Sequence, residues 1–312
     1  MRDQRALMFS LGLVTGIVVT AATVGVLILG FFRARRRRPF PAHGWLGIVA
    51  LAGAEWMLVR HVEPVPTYFT PLAWSAYILI ADASVFALTA RSRLRDAPLT
   101  ILRMALLSIP LWLIFEAYNL RLHNWTYVGV PRQRLLALLG YGWSFATITP
   151  AIFETSDLVQ ALLPPVPIEP WKTSRAADNV IMACGAASLL VPLLVPPLIA
   201  ARLFFLVWIG FLLLLDPLNR RLSLPSFLGD VSEGFSRRLY GFFLAGWICG
   251  WLWEFWNNWA HAKWHYTFPM FQDLKIFEMP LPGYLGFPAF ALECFTMYVT
   301  AAWLAGWLKR VK

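Results

Sequence analysis

The chain has 312 residues, of which 59% are hydrophobic and only 14% charged, and it contains 16 Trp and 23 Phe. A soluble domain of this length carries roughly a quarter charged residues, so the composition excludes an ordinary soluble protein and points to the membrane. The net charge of +10 does not point to nucleic acid, because the basic residues stand in short runs between apolar segments and read as topology.

A helix needs about 20 apolar residues to cross a bilayer. Nine segments qualify, at roughly 8–32, 44–60, 68–90, 100–120, 135–160, 179–197, 199–216, 239–260 and 281–308. The expected fold is therefore an all-α polytopic bundle. "VPPL" joins the sixth and seventh segments, which allows a tight turn or a re-entrant pair there. The first segment is too long, and too strongly followed by "RARRRR", for a typical cleaved signal peptide, so it reads as a retained anchor.

The positive-inside rule then sets the orientation. With the N-terminus outside, the inner segments hold Arg33 and Arg35 to Arg38, then Arg91, Arg93 and Arg95 with Arg103 just beyond, then Lys172 and Arg175. They also hold Arg220, Arg221, Arg237 and Arg238, and finally Lys309, Arg310 and Lys312. The expected location is the inner membrane of a bacterium, with the C-terminus cytoplasmic. Cys184, Cys249 and Cys294 lie inside apolar segments and carry no information on redox compartment.

The chain also repeats itself. "FEAYNLRLHNWTY" (115–127) and "WEFWNNWAHAKWHY" (253–266) match Glu116, Asn119 and His123 with Glu254, Asn257 and His261, each pair 138 positions apart. Trp125 and Tyr127 match Trp264 and Tyr266 after one inserted residue. Upstream, "WSAYILIAD" aligns with "WIGFLLLLD" and pairs Asp82 with Asp216; downstream, "GY…PAIFE" and "GY…PAFALE" pair Glu154 with Glu293. The expected organisation is an anchor helix and basic loop over 1–43, a first four-helix repeat over 44–165 and a second over 166–312. An even number of spans per copy relates them by a pseudo-twofold axis along the membrane normal.

Positions i, i+3 and i+7 share a helix face, so Glu254, Asn257 and His261 are expected to form one polar stripe and Glu116, Asn119 and His123 its counterpart. Charged groups avoid lipid, so the stripes should face the interior or a wet cavity. Glu154 and Glu293 lie within their spans, four or five residues after a proline that frees a backbone carbonyl. Asp82 and Asp216 lie towards the inner side, and Asp216 reads as a cap or an ion-pair partner. Trp125, Tyr127, Trp264 and Tyr266 also fit an ordinary interfacial aromatic belt, and Asn119 and Asn257 fit interhelical hydrogen-bond glue. Seven residues separate each Glu from its His by about 10 Å along a helix, too far to share one ion, so no metal or other cofactor is expected.

Asp216 before Arg220 and Arg221, then Glu254 followed by Trp264 and Tyr266, then "IFEMPLPGYLGF" (276–287), together resemble the lycopene cyclase domain of the heterodimeric and fused membrane carotenoid cyclases. The resemblance covers roughly 68–160 and 200–308. It implies cyclisation or isomerisation of an apolar, carotenoid-like isoprenoid without redox change. The family's paired acidic residues after a proline are not present after Pro280, where the chain reads "LPGYLGF". The acids implied for such chemistry are then Glu278, just before the proline, with Glu293 and Glu154 deeper, and Glu254 or Glu116 as the base, oriented by Asn257 and His261. Trp253, Trp256, Trp264, Tyr266, Phe287 and Phe290 are the expected substrate-binding faces, able to stabilise a carbocation. A proton-coupled transporter or a lipid-binding protein is the alternative, since parallel repeats and interface carboxylates also describe carriers. Either reading takes a membrane lipid or isoprenoid as partner. The second repeat, richer in polar and aromatic groups, is expected to hold any active site.

Overall fold

The computed structural model describes residues 2–35 and 37–308. Arg36, Lys309, Arg310 and Lys312, counted above among the inner basic residues, lie outside them. The protein is 72% helical. Long helices are α1 (Arg2–Arg33), α2 (Ala42–Val59), α3 (Phe69–Thr89), α5 (Pro98–Leu122), α6 (Arg134–Leu162), α7 (Arg175–Leu194), α9 (Phe204–Arg221), α11 (Arg237–Trp259) and α12 (Gly286–Leu304). Three short helices, α4 (Arg93–Asp96), α8 (Pro197–Ala200) and α10 (Phe227–Ser232), lie between them.

By length and composition, seven helices among the described residues are apolar enough to cross a membrane: α1, α2, α3, α5, α6, α7 and the segment containing α12. α9 and α11 are not among the seven; α9 carries Asp216, Arg220 and Arg221, and α11 carries Glu254, Asn257 and Asn258. Nine long helices are present among the described residues, but only seven of them meet the apolar criterion, against the nine spans expected. The sixth and seventh segments are separate helices, split by Pro196 and the short α8.

Helices contact one another in the same pattern in the two halves. α2 packs on α3, α3 on α6 and α5 on α6; correspondingly α7 packs on α9, α9 on α12 and α11 on α12. The halves meet where α6 lies on α11 and α5 on α12. Within the second half, α11 and α12 approach closely at a glycine: a Cβ on Gly246 would stand 2.5 Å from the Phe287 carbonyl oxygen. α1 stays outside both halves and runs along α11.

Two features mark the ends of the bundle. At one end, β1 (Trp125–Val128) and β2 (Lys263–Tyr266) form an antiparallel ribbon that joins the halves. A small hairpin, β3 (Lys275–Ile276) with β4 (Met279–Pro280), covers the same end. The other end carries Arg35, Arg37 and Arg38 of the α1–α2 loop, Arg93 and Arg95 of α4, and Arg220, Arg221, Arg237 and Arg238 where α9 ends and α11 begins. The core between these ends is dominated by aromatic rings, Trp74, Phe115, Trp256 and Phe290 among the buried ones.

Candidate functional site

The ribbon is held by one asparagine from each half. Asn257 donates to the Trp264 carbonyl at 2.9 Å and its Oδ1 accepts the Trp264 N–H at 3.0 Å. Asn119 donates to the Trp125 carbonyl at 2.9 Å, and its Oδ1 accepts from the N–H groups of Asn124 and Trp125. Each amide thus does the work of a missing strand neighbour for its own Trp. These asparagines are backbone anchors, which is why a residue with both a donor and an acceptor stands there.

With the backbone fixed, the alternation of strand side chains turns the Trp and Tyr of each strand to the same face. Tyr266 donates to Glu254 Oε1 at 2.9 Å. Tyr127 donates to Glu116 Oε1 at 2.5 Å, and the same oxygen accepts from the indoles of Trp112 at 2.8 Å and Trp125 at 3.2 Å. Both glutamates therefore hold a tyrosine hydroxyl from their own half. Glu254 is fully buried and its Oε2 makes no hydrogen bond among the described residues, whereas Glu116 is half-buried and has three donors on one oxygen. Burial, then the neighbouring Glu254 carboxyl, push the Tyr266 hydroxyl well above its ordinary value and keep it a donor. Burial and Glu116 do the same for Tyr127.

These tyrosines line a cavity of about 640 Å3. That size is in the range of small-molecule sites. The first half contributes the start of α3 and of α6, through residues such as Pro71 and Tyr141; the second contributes the start of α9 and of α12, through Trp208 and Phe290. Trp112 and Trp253 close it towards the core, with ring centroids 6.3 Å apart. Trp253 also meets Trp264 at 6.2 Å and Phe290 at 6.1 Å, both edge-on, so the wall offers both ring faces and ring edges. Among the described residues no acidic side chain lines it; Glu116 and Glu254 stand one layer behind, reached through Tyr127 and Tyr266.

Of the residues expected to bind substrate, Trp253, Trp264, Tyr266, Phe287 and Phe290 line this cavity. Trp256 does not; it is buried against Trp74, with ring centroids 5.0 Å apart. Nor do the histidines complete a stripe. α5 ends at Leu122 and α11 at Trp259, so His123 and His261 lie beyond the helices and are exposed. The i+7 spacing assumed a helix that the His123 backbone, at φ 51°, has already left. Glu278 sits in the β3–β4 turn, 2.8 Å from His265 Nδ1. Among the described residues no group of three or more His, Cys, Asp or Glu is placed to hold a metal ion.

Glu154 and Glu293 are fully buried and lie away from the cavity lining. Glu154 accepts from Arg93 at 3.2 Å, and Asp157 shares the same guanidinium nitrogen at 2.5 Å. Burial works against the Arg93 charge, but the Asp157 and Glu154 carboxyls outweigh it and hold Arg93 above its ordinary value. Glu293 accepts the backbone N–H of Phe211 at 2.9 Å, with its other oxygen unpartnered. Asp82 and Asp216 cap the short helices: Asp82 accepts the Leu94 N–H of α4, and Asp216 accepts those of Phe227 and Leu228 of α10. Asp82 also meets His43 Nε2 at 3.0 Å.

Sequence reasoning missed Tyr127 as a partner of Glu116, Trp112 as a wall of the cavity, and Arg93 as the mate of Glu154. The alternation in "WTYV" and "KWHY" was the sign of the ribbon.

The fold and cavity define an integral membrane protein with an aromatic chamber at one end of its helical bundle. No family model, curated protein or solved structure matches the chain.

Proposed function

We propose that the protein is a nine-span membrane enzyme built from two copies of one four-helix module, and that it cyclises or isomerises an apolar, carotenoid-like isoprenoid in the aromatic chamber. α9 and α11 complete the span count, Asp216, Asn219, Glu254 and Asn257 being buried in the bundle. The proposed orientation has the N-terminus outside and the arginine-rich end in the cytoplasm of a bacterial inner membrane, in keeping with the positive-inside rule.

The observation that carries this reading is the pairing of a tyrosine in the chamber wall with a fully buried glutamate behind it, Tyr266 with Glu254. Protonating an alkene needs an acid kept from water and from cations. Among the described residues Glu254 forms no ion pair, and it is fully buried. In the proposed step Tyr266 gives its hydroxyl proton to the alkene as Glu254, starting in its acid form, passes its own proton to the Tyr266 oxygen, so that no phenolate forms and Glu254 is left as the carboxylate. Ring faces of Trp253, Trp264 and Phe290 then stabilise the carbocation. Tyr127 takes a proton from an adjacent carbon as its own hydroxyl proton passes to Glu116, so the substrate gains one proton, loses another and neither gains nor loses electrons. Glu278, Glu293 and Glu154 take no part in this version, because each is held by other groups outside the chamber wall.

One observation favours the alternative, a lipid-binding protein: neither carboxyl touches the cavity directly. Expression in a host that accumulates linear carotenes, followed by chromatography of the pigments, separates the two. A cyclic or isomerised product that disappears in both Glu254→Gln and Tyr266→Phe supports the enzyme. An unchanged profile from folded wild-type protein removes linear carotenes as substrates.

A further inference from the structure

The chamber lining contains two charged side chains, Arg202 and Lys263, and both are cationic. Against them stand no acidic groups in the wall. Neither cation forms an ion pair among the described residues; the Arg202 guanidinium donates to the Leu198 carbonyl at 2.6 Å and the Lys263 ammonium to the Asn258 carbonyl at 3.0 Å. The rest of the wall is aromatic and aliphatic, with neutral hydroxyls and an amide. The half-buried Lys263 loses part of its hydration when the chamber fills, and a neutral hydrocarbon returns nothing for that loss. A negative group on the ligand does.

The two positions stand at opposite ends of the ribbon, so each marks its own place for a head group at the rim. Lys263 begins β2 at one end of the ribbon, opposite Val128, and the α8–α9 turn that carries Arg202 meets the other end, where Asn124 donates to Ala201. Arg202 is exposed and Lys263 half-buried. Both therefore sit at the rim of the chamber, where water reaches them, while Trp112 and Trp253 form its floor.

We infer that the ligand of the chamber is an amphiphile: a long apolar chain that enters among the rings and carries an anionic head, phosphate or carboxylate, held at the rim by Arg202 or by Lys263. This rests on the proposed apolar-ligand reading of the chamber and narrows it to charged-head lipids. Guanidinium and ammonium both bind phosphate through charge-assisted hydrogen bonds, and Arg grips it in bidentate fashion.

The test is saturable retention of tritiated probes by the full chain in nanodiscs of zwitterionic lipid, corrected for empty nanodiscs. The probes are farnesyl phosphate, farnesol, palmitate and squalene. The expected result is that farnesyl phosphate binds about tenfold or more tighter than farnesol, a difference of about 1.4 kcal/mol. That difference should shrink as salt is raised and vanish in an Arg202→Gln/Lys263→Gln double variant that still retains farnesol. Palmitate binding would extend the head group to carboxylates; its absence would restrict it to phosphate. Equal retention of farnesyl phosphate and farnesol, or an advantage that survives the double substitution, would overturn the inference and leave the chamber as a site for neutral lipids. Failure of all four probes to bind folded protein would instead remove the apolar-ligand reading itself.

Discussion

Trp125 of β1 lies opposite Tyr266 of β2, and two residues along the same ribbon Tyr127 lies opposite Trp264. Each half therefore offers its tryptophan to the other half's tyrosine, while each tyrosine reaches back to a glutamate on its own preceding helix. The ribbon is both the seam between the halves and the wall of the chamber.

The asparagine anchors should be worth more than surface polar residues. Replacing Asn257 by Ala leaves the Trp264 N–H and carbonyl without their partner in a buried setting, at a cost of about 2–4 kcal/mol. Thermal unfolding of detergent-solubilised protein should show a drop of several degrees for Asn257→Ala and for Asn119→Ala. No shift in either variant would mean that the ribbon holds itself.

The two glutamates should not respond alike. Glu116 Oε1 keeps two indole donors when Tyr127 is replaced by Phe, whereas Tyr266→Phe removes the hydroxyl on Glu254. The expected stability loss is about 1–3 kcal/mol for Tyr266→Phe and about 1 kcal/mol or less for Tyr127→Phe. For catalysis, Glu254→Gln should abolish product and Glu116→Gln should only reduce it. Equal loss from both glutamine variants would refute a site centred on the second half.

At the arginine-rich end, Arg93→Met strands the Glu154 and Asp157 carboxyls around an empty place. Breaking a buried pair from one side costs about 3–5 kcal/mol, reduced here because Arg93 and Asp157 are partly exposed. Adding Glu154→Gln to Arg93→Met should recover part of the loss in melting temperature. A double variant no more stable than the single one would show that the pair itself is not what Arg93 supplies.

Glycine substitutions give a test of the helix packing that is independent of chemistry. Gly246→Ala forces a methyl against backbone atoms of Phe287 and Pro288 and should lower the yield of folded protein. Gly53 in α2 has nothing within 4 Å of its would-be Cβ, so Gly53→Ala should be neutral or raise stability by about 1 kcal/mol through helix propensity. Melting curves that rank the two the other way would contradict the α11–α12 contact.

Much of this was legible in the chain. The long helices lie where the apolar segments end at arginine clusters or at proline, and Asp82, Asp216, Asn119 and Asn257 were singled out by position before their bonds were known. Equivalent residues turn out to make equivalent bonds: each aspartate caps a short helix and each asparagine clasps a tryptophan backbone. What escaped was decided by the third dimension. A four-residue strand is too short for its period to stand out among aromatics, so Trp125 and Tyr127 read equally well as an interfacial belt. The helical stripe failed at His123 and His261 because periodicity does not announce where a helix stops. Arg93 looked like one more loop arginine because nothing local reveals that α4 carries it back onto Glu154, 61 positions away.

The register of the ribbon has a consequence for divergence. Paired as Trp with Tyr and Tyr with Trp, the strands are self-complementary in the manner of a symmetric dimer, in which every substitution must be accepted twice. Joining both halves in one polypeptide lifts that obligation. Val128 can then face Lys263, and Thr126 can face His265 with Glu278 beyond it, so that one side specialises while the other keeps the scaffold in place.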